Sequence, residues 1–146
     1  MLDHAWIAAH IPHHGNMCLL HAVREWDEHH IVCEALSHEA VDNPLRASGR
    51  LGVATGVEYA AQAMAVHGGL LAPAGAAPTQ GYLTSVRGLT LYVPRLDDCA
   101  GPLRVSAERL SGDARLILYQ FQLHHRDRCL LEGRASVVLD ASSLAI

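Results

Sequence analysis

Hydrophobic positions fall into three regimes along the chain. At the start, Leu2 to Ala9 is compatible with a short amphipathic helix that Pro12 would break, since proline lacks a backbone donor and fixes its own φ. Two apolar runs follow, Met17 to Glu25 and Ile31 to Leu36, on either side of the polar stretch Trp26 to His30. Runs of that length around a polar turn predict a hairpin. Ser37 to Arg50 reads as a loop, in which Pro44 pushes Asn43 out of helical geometry. From Gly52 to Leu71 the pattern changes to apolar positions all round, rich in Ala and interrupted by Glu58, Gln62 and His67. Such a segment predicts a buried, closely packed helix, with Gly68-Gly69 as its expected end. A Pro/Ala/Gly loop from Leu71 to Thr79 then leads into Gly81 to Val93, Leu103 to Leu110, Ala114 to His125 and Cys129 to Leu139. These are rich in Val, Leu, Tyr and Ile, and turn formers separate them, which predicts a meander of about four strands. Two strands, one buried helix and four strands make an α+β order: a long central helix wrapped by an antiparallel sheet, in one domain over residues 1–146.

Composition narrows the function classes. With 146 residues, 50% hydrophobic and 18% charged, the chain is long enough for one core and too short for two. A formal net charge of -4, without any Lys/Arg run, argues against nucleic acid or an anionic membrane as the main partner. A small molecule or an acidic carrier fits better. The first residues lack the basic-then-apolar pattern of a secretory signal, and no apolar run reaches membrane-spanning length, so a cytoplasmic protein is expected. Cys18, Cys33, Cys99 and Cys129 stand far apart with no C-x-x-C pair, which suits reduced thiols and, for most of them, a place in the core. The eleven histidines include the doublets His13-His14, His29-His30 and His124-His125 but no H-E-x-x-H. Adjacent side chains of an extended segment point to opposite faces, so neither a metal site nor a cofactor is expected.

The chemistry concentrates on the apolar helix. Glu58 falls in its second turn, surrounded by Ala54, Val57, Tyr59 and Ala61. Desolvation there should raise its pKa and keep a proton available near neutral pH. The bland alternative is an ion pair with Arg46, Arg50 or Arg87. Gln62 lies one turn on, on the same face, where it can hold Glu58. His67, nine positions on, is half a turn out of phase and reads as a cation near the helix C-terminus.

Three motifs carry a family resemblance. Ile11-Pro12-His13-His14-Gly15-Asn16-Met17-Cys18-Leu19-Leu20 resembles the L-P-H-R-x-P-F-L-L segment that opens FabZ-type 3-hydroxyacyl-[acyl-carrier-protein] dehydratases, and Gly56-Val57-Glu58-Tyr59-Ala60-Ala61-Gln62-Ala63 resembles their E-x-x-A-Q helix signature. With Gly81-Tyr82-Leu83-Thr84-Ser85-Val86-Arg87, the set is similar to the dehydratase-like proteins of aryl-polyene lipid pathways. The resemblance implies a hotdog fold and edge-to-edge dimers with acyl tunnels at the subunit interface. It also implies substrate on the phosphopantetheine arm of an acyl carrier protein, and removal of water across C2 and C3 of a 3-hydroxyacyl thioester. In that family the helix carboxylate, here Glu58, works with a histidine from the other subunit's pre-helix loop. In place of the family's H-F-P-G, this loop reads Asn43-Pro44-Leu45-Arg46. A proton-transfer partner must then come from elsewhere, with His13 the first candidate and His38 the second. Asn43, Gln62, Thr84 and Arg46 are the substrate-side candidates; His21 stands where the family has an aspartate. Three functions follow: carrier-bound dehydration, a hotdog thioesterase, or a catalytically weak subunit, so that the assembly is either a homodimer or a hetero-oligomer with another dehydratase.

Overall fold

The computed structural model describes residues 1–11, 13, 15–72, 82–113 and 115–138. Its elements are α1 (His4–His10), β1 (Ala22–Trp26), β2 (His30–Ala35), α2 (Gly56–Leu71), β3 (Tyr82–Leu91), β4 (Leu103–Gly112), β5 (Leu116–His125) and β6 (Arg128–Val138). The strands form one antiparallel sheet in the order β1-β2-β4-β5-β6-β3.

Period-two alternation sets the inner face. Ile31, Cys33 and Ala35 of β2, Leu103, Val105 and Ala107 of β4, and Ile117, Tyr119, Phe121 and Leu123 of β5 are all buried, while residues between them are not. Against this face lies α2, burying Tyr59, Ala60, Ala63, Met64 and Val66. Its small residues let the sheet approach closely. At Gly56, a Cβ would fall inside the Leu131 side chain and 3.1 Å from Leu123.

The α+β order holds, and three details differ from the sequence expectation. First, α2 starts at Gly56, after a 3₁₀ turn at Val53–Thr55, so Glu58 sits in its first turn. That turn is pinned from outside, because Val53 N donates to Pro94 O and Leu96 N donates to Leu51 O. Second, α2 runs through Gly68 and Gly69 to Leu71. Neither glycine adopts a positive φ, the conformation that would end a helix there. Third, the meander comprises β4 to β6 only; β3 pairs with β6 at the far edge, and β2 pairs with β4. Sixteen helical residues carry the chain about 24 Å across the sheet, far enough to enter it from the other side. The expected loop over 71–79 lies mostly outside the described residues.

The sheet's two edges are unlike. Leu2 forms a bridge with Val23 along β1, with Leu2 N donating to Val23 O at 3.1 Å and Val23 N to Leu2 O at 2.8 Å. By contrast, β3 exposes Leu83, Leu89 and Leu91. Among the described residues, no helix is long and apolar enough to cross a membrane.

Candidate functional site

Glu58, Gln62 and His13 come together. Gln62 is fully buried, and its Oε1 accepts from Leu19 N at 2.9 Å, which fixes the orientation of its amide. Its Nε2 therefore faces two acceptors, Met17 O at 2.7 Å and Glu58 Oε1 at 3.3 Å. One side chain thus joins the central helix to the segment that carries His13. His13 Nε2 lies 3.0 Å from the same oxygen, Glu58 Oε1. Nε2 of His13 can donate to the oxygen that also accepts from Gln62, while His13 Nδ1 is buried and has no partner among the described residues. Neither donor touches Oε2. The apolar pocket expected around Glu58 is open, for its side chain keeps 35% of its exposure. Its partner is His13, and none of Arg46, Arg50 and Arg87 pairs with it.

Behind this cluster, Asn43 is buried and engaged entirely within the fold. Its Nδ2 donates to Ser37 O at 2.9 Å and to the Tyr59 hydroxyl at 3.0 Å, and its Oδ1 accepts from Leu45 N at 2.9 Å. The Ser37 hydroxyl reaches Leu19 O at 2.8 Å and the Tyr59 hydroxyl at 2.9 Å. Since a carbonyl only accepts, Ser37 donates to Leu19, Tyr59 donates to Ser37, and Asn43 donates to Tyr59. Leu19 is therefore held at its N–H by Gln62 and at its C=O by Ser37. Burial pushes the Tyr59 phenol above its ordinary pKa. Tyr59, Ser37 and Asp97 were not singled out by sequence reasoning; the signal for Tyr59 was its place beside Glu58 on a buried helix.

Arg46 points away from the cluster. Its guanidinium donates to Ala40 O, Gly49 O and His38 O and lies 3.7 Å from Asp97. Asp97 also accepts from Arg95 and from Leu51 N, and the Arg95 guanidinium holds its carboxyl well below the usual carboxylate range. Arg46 thus braces the pre-helix loop. Thr84 stands on edge strand β3, its hydroxyl on Ser136 O at 3.2 Å. His38 is buried and donates from Nε2 to Cys99 O at 2.9 Å; desolvation lowers its pKa. His67 is not an exposed cation at a helix end. It lies wholly inside the fold, bonded at both ring nitrogens, and desolvation lowers its pKa as well.

All four cysteines are free thiols. Cys18 and Cys33 lie in the core, where burial pushes the Cys33 thiol up to about 12. Among the described residues, no three His, Cys, Asp or Glu side chains converge as metal ligands.

An antiparallel sheet packed on one buried helix, with a carboxylate presented from that helix's first turn, defines a hotdog-fold protein. The model of the ApeP-like family, described as ApeP dehydratase, matches residues 5–145, and the chain belongs to that family. Among solved structures, a chain of the dehydratase heterocomplex ApeI:P from Xenorhabdus doucetiae superposes with a TM-score of 0.84 at 21% identity, covering 95% of this chain and 94% of that one. A thioesterase from Haemophilus influenzae superposes with a TM-score of 0.60 at 13% identity, covering 90% and 80%. A variant of a Staphylococcus aureus thioesterase gives 0.62 at 11% identity, covering 82% and 92%. At these identities the likenesses establish the fold. A comparison with curated protein sequences gave no match.

Proposed function

We propose that the chain dehydrates 3-hydroxyacyl thioesters, presented on the phosphopantetheine arm of an acyl carrier protein in the cytoplasm, as a step of aryl-polyene or related lipid synthesis. The observation that carries the site assignment is the pairing of His13 and Gln62 on Oε1 of Glu58, which leaves Oε2 for substrate. Membership of the ApeP-like dehydratase family supports the reaction class.

In this reading Glu58 Oε2 takes the C2 proton as negative charge moves onto the thioester oxygen. The first-turn amides of α2 stabilise that charge; Thr55 makes no side-chain cap there, its hydroxyl being turned back to Gly52 O. Glu58 then returns the proton to the C3 hydroxyl, which leaves as water while the C2–C3 double bond forms. His13 completes the acid–base pair by steadying the carboxylate through Nε2.

A second reading is favoured by Asn43. The loop position at which a catalytic histidine was expected holds an amide committed to Ser37, Tyr59 and Leu45. The neighbouring ApeI:P structure is described as a heterocomplex. On this reading the chain supplies Glu58 to a composite site, and a partner dehydratase supplies the histidine.

One assay set separates these. 3-Hydroxyacyl and enoyl thioesters are offered on carrier protein and on coenzyme A, and enoyl absorbance and free thiol are followed separately. Interconversion of hydroxyacyl and enoyl forms by the chain alone supports the first reading. Activity only after adding a partner dehydratase supports the second. Thiol release without enoyl formation makes the protein a thioesterase. Glu58→Gln abolishes dehydration in either of the first two cases, and undiminished activity in that variant removes Glu58 from the mechanism.

A further inference from the structure

His67 plays no part in the site above, yet it is among the most completely bonded side chains in the molecule. Its Nε2 lies 2.7 Å from the backbone carbonyl of Asp27. A carbonyl only accepts, so Nε2 carries the ring proton. Nδ1 lies 2.7 Å from the Tyr119 hydroxyl, and in a neutral ring that nitrogen is the acceptor and Tyr119 the donor. The two rings meet edge to face, with centroids 5.7 Å apart. One imidazole thus ties α2 to β5 and to the β1–β2 turn. Asp27 organises that turn, its carboxylate accepting from His29 N at 2.7 Å and His30 N at 2.9 Å.

We propose that His67 is a proton-released latch: neutral, it fastens the β1–β2 turn to the central helix, and a second ring proton lets the turn go. That proton would sit on Nδ1 and face the hydrogen of the Tyr119 hydroxyl, so Tyr119 would have to turn its O–H away inside the core. The ring would then be a fully buried cation. Of the charged groups that face it, Arg109 on β4 and His30 in the turn oppose the charge. The Asp27 carboxylate favours it, but that group is already taken up by the turn amides and by the His30 ring at 2.8 Å. Burial outweighs these, and the folded ring stays neutral where the unfolded chain accepts a proton.

The sign follows. Stability from the neutral ring is complete above the ordinary histidine value of about 6.5 and is lost as pH falls below it; one linked proton raises the opening constant by up to about tenfold per pH unit.

The test uses the full chain. Nitrogen NMR of the wild-type side chain from pH 8 to 6.5 should show the Nε2–H tautomer in the folded state. Amide exchange at His29 and His30, corrected for its intrinsic pH dependence, should quicken below pH 6.5 by up to about tenfold per unit. In His67→Gln, which keeps an N–H donor but cannot titrate, that quickening should vanish, whereas His30→Gln should retain it. An Nδ1–H or doubly protonated ring in the folded wild type at pH 6.5 overturns the latch. So does quickening that survives unchanged in His67→Gln or disappears in His30→Gln. If His67→Gln fails to fold, the wild-type tautomer and the His30→Gln exchange decide.

Discussion

Glu58 is gripped by one oxygen and, in the proposed mechanism, reacts through the other, and that asymmetry gives different expectations for neighbouring residues. Replacing Glu58 with Gln removes the proton carrier and should lower kcat/KM by a factor of about 10²–10⁴, measured as enoyl formation. Replacing Gln62 with Leu removes a buried amide that serves Leu19 N, Met17 O and Glu58 together. Leaving those backbone groups unpaired should cost about 1–3 kcal/mol in denaturant unfolding, and activity should fall in the fraction that remains folded. Glu58, Gln62 and His13 were legible in the sequence because polar groups in apolar surroundings stand out and their spacing matches a known signature. Asn43 was not, since an amide's role depends on its partners, and Tyr59 and Ser37 are brought to it only by the fold. His67 was misjudged for a related reason: helical phase tells which way a side chain points, but not that Tyr119 and the Asp27 carbonyl will be waiting there.

Among the elements, the central helix was the easiest to read and its ends the hardest. An apolar run of mixed large and small residues announces burial, whereas the first turn depends on the contacts of Val53 and Leu51 with the segment before β4, more than forty residues away. The small residues have a measurable consequence. Gly56→Ala pushes a methyl group into Leu131 and Leu123, both buried, and should destabilise the fold by about 1–3 kcal/mol, read from the denaturant midpoint at unchanged slope. Strand order was half legible. Tight turns made the β4–β5–β6 meander visible, but nothing local to β3 says that the chain leaving the helix will land beside β6.

For the molecule as a whole, pH should act in two stages. The buried His67 and His38 have lowered pKa values, so stability that depends on their being neutral is present above about pH 6.5 and declines below it. Asp97 and Asp27 are shifted the other way, Asp97 by Arg95 and Asp27, held to about 2, first by the His29 amide. Their contribution is present above the ordinary carboxylate value of about 4 and is lost only under stronger acid. Unfolding midpoints measured across pH 3 to 8 should therefore show a shallow decline starting near pH 6.5 and a steeper one below about pH 4.

The short bridge from Leu2 to Val23 also bears on how many chains can join. Unpaired strand edges template growth, and a sheet open on both sides can add neighbours without limit. Among the described residues, Leu2 bridges the outer edge of β1 at Val23, while no strand pairs with the outer edge of β3. Any association through β3 would therefore be self-terminating, expected to yield a pair and to stop short of a fibre. Removing Met1 to Asp3 would uncover the second side, and light scattering at rising concentration should then detect open-ended aggregation in the shortened chain and none in the intact one.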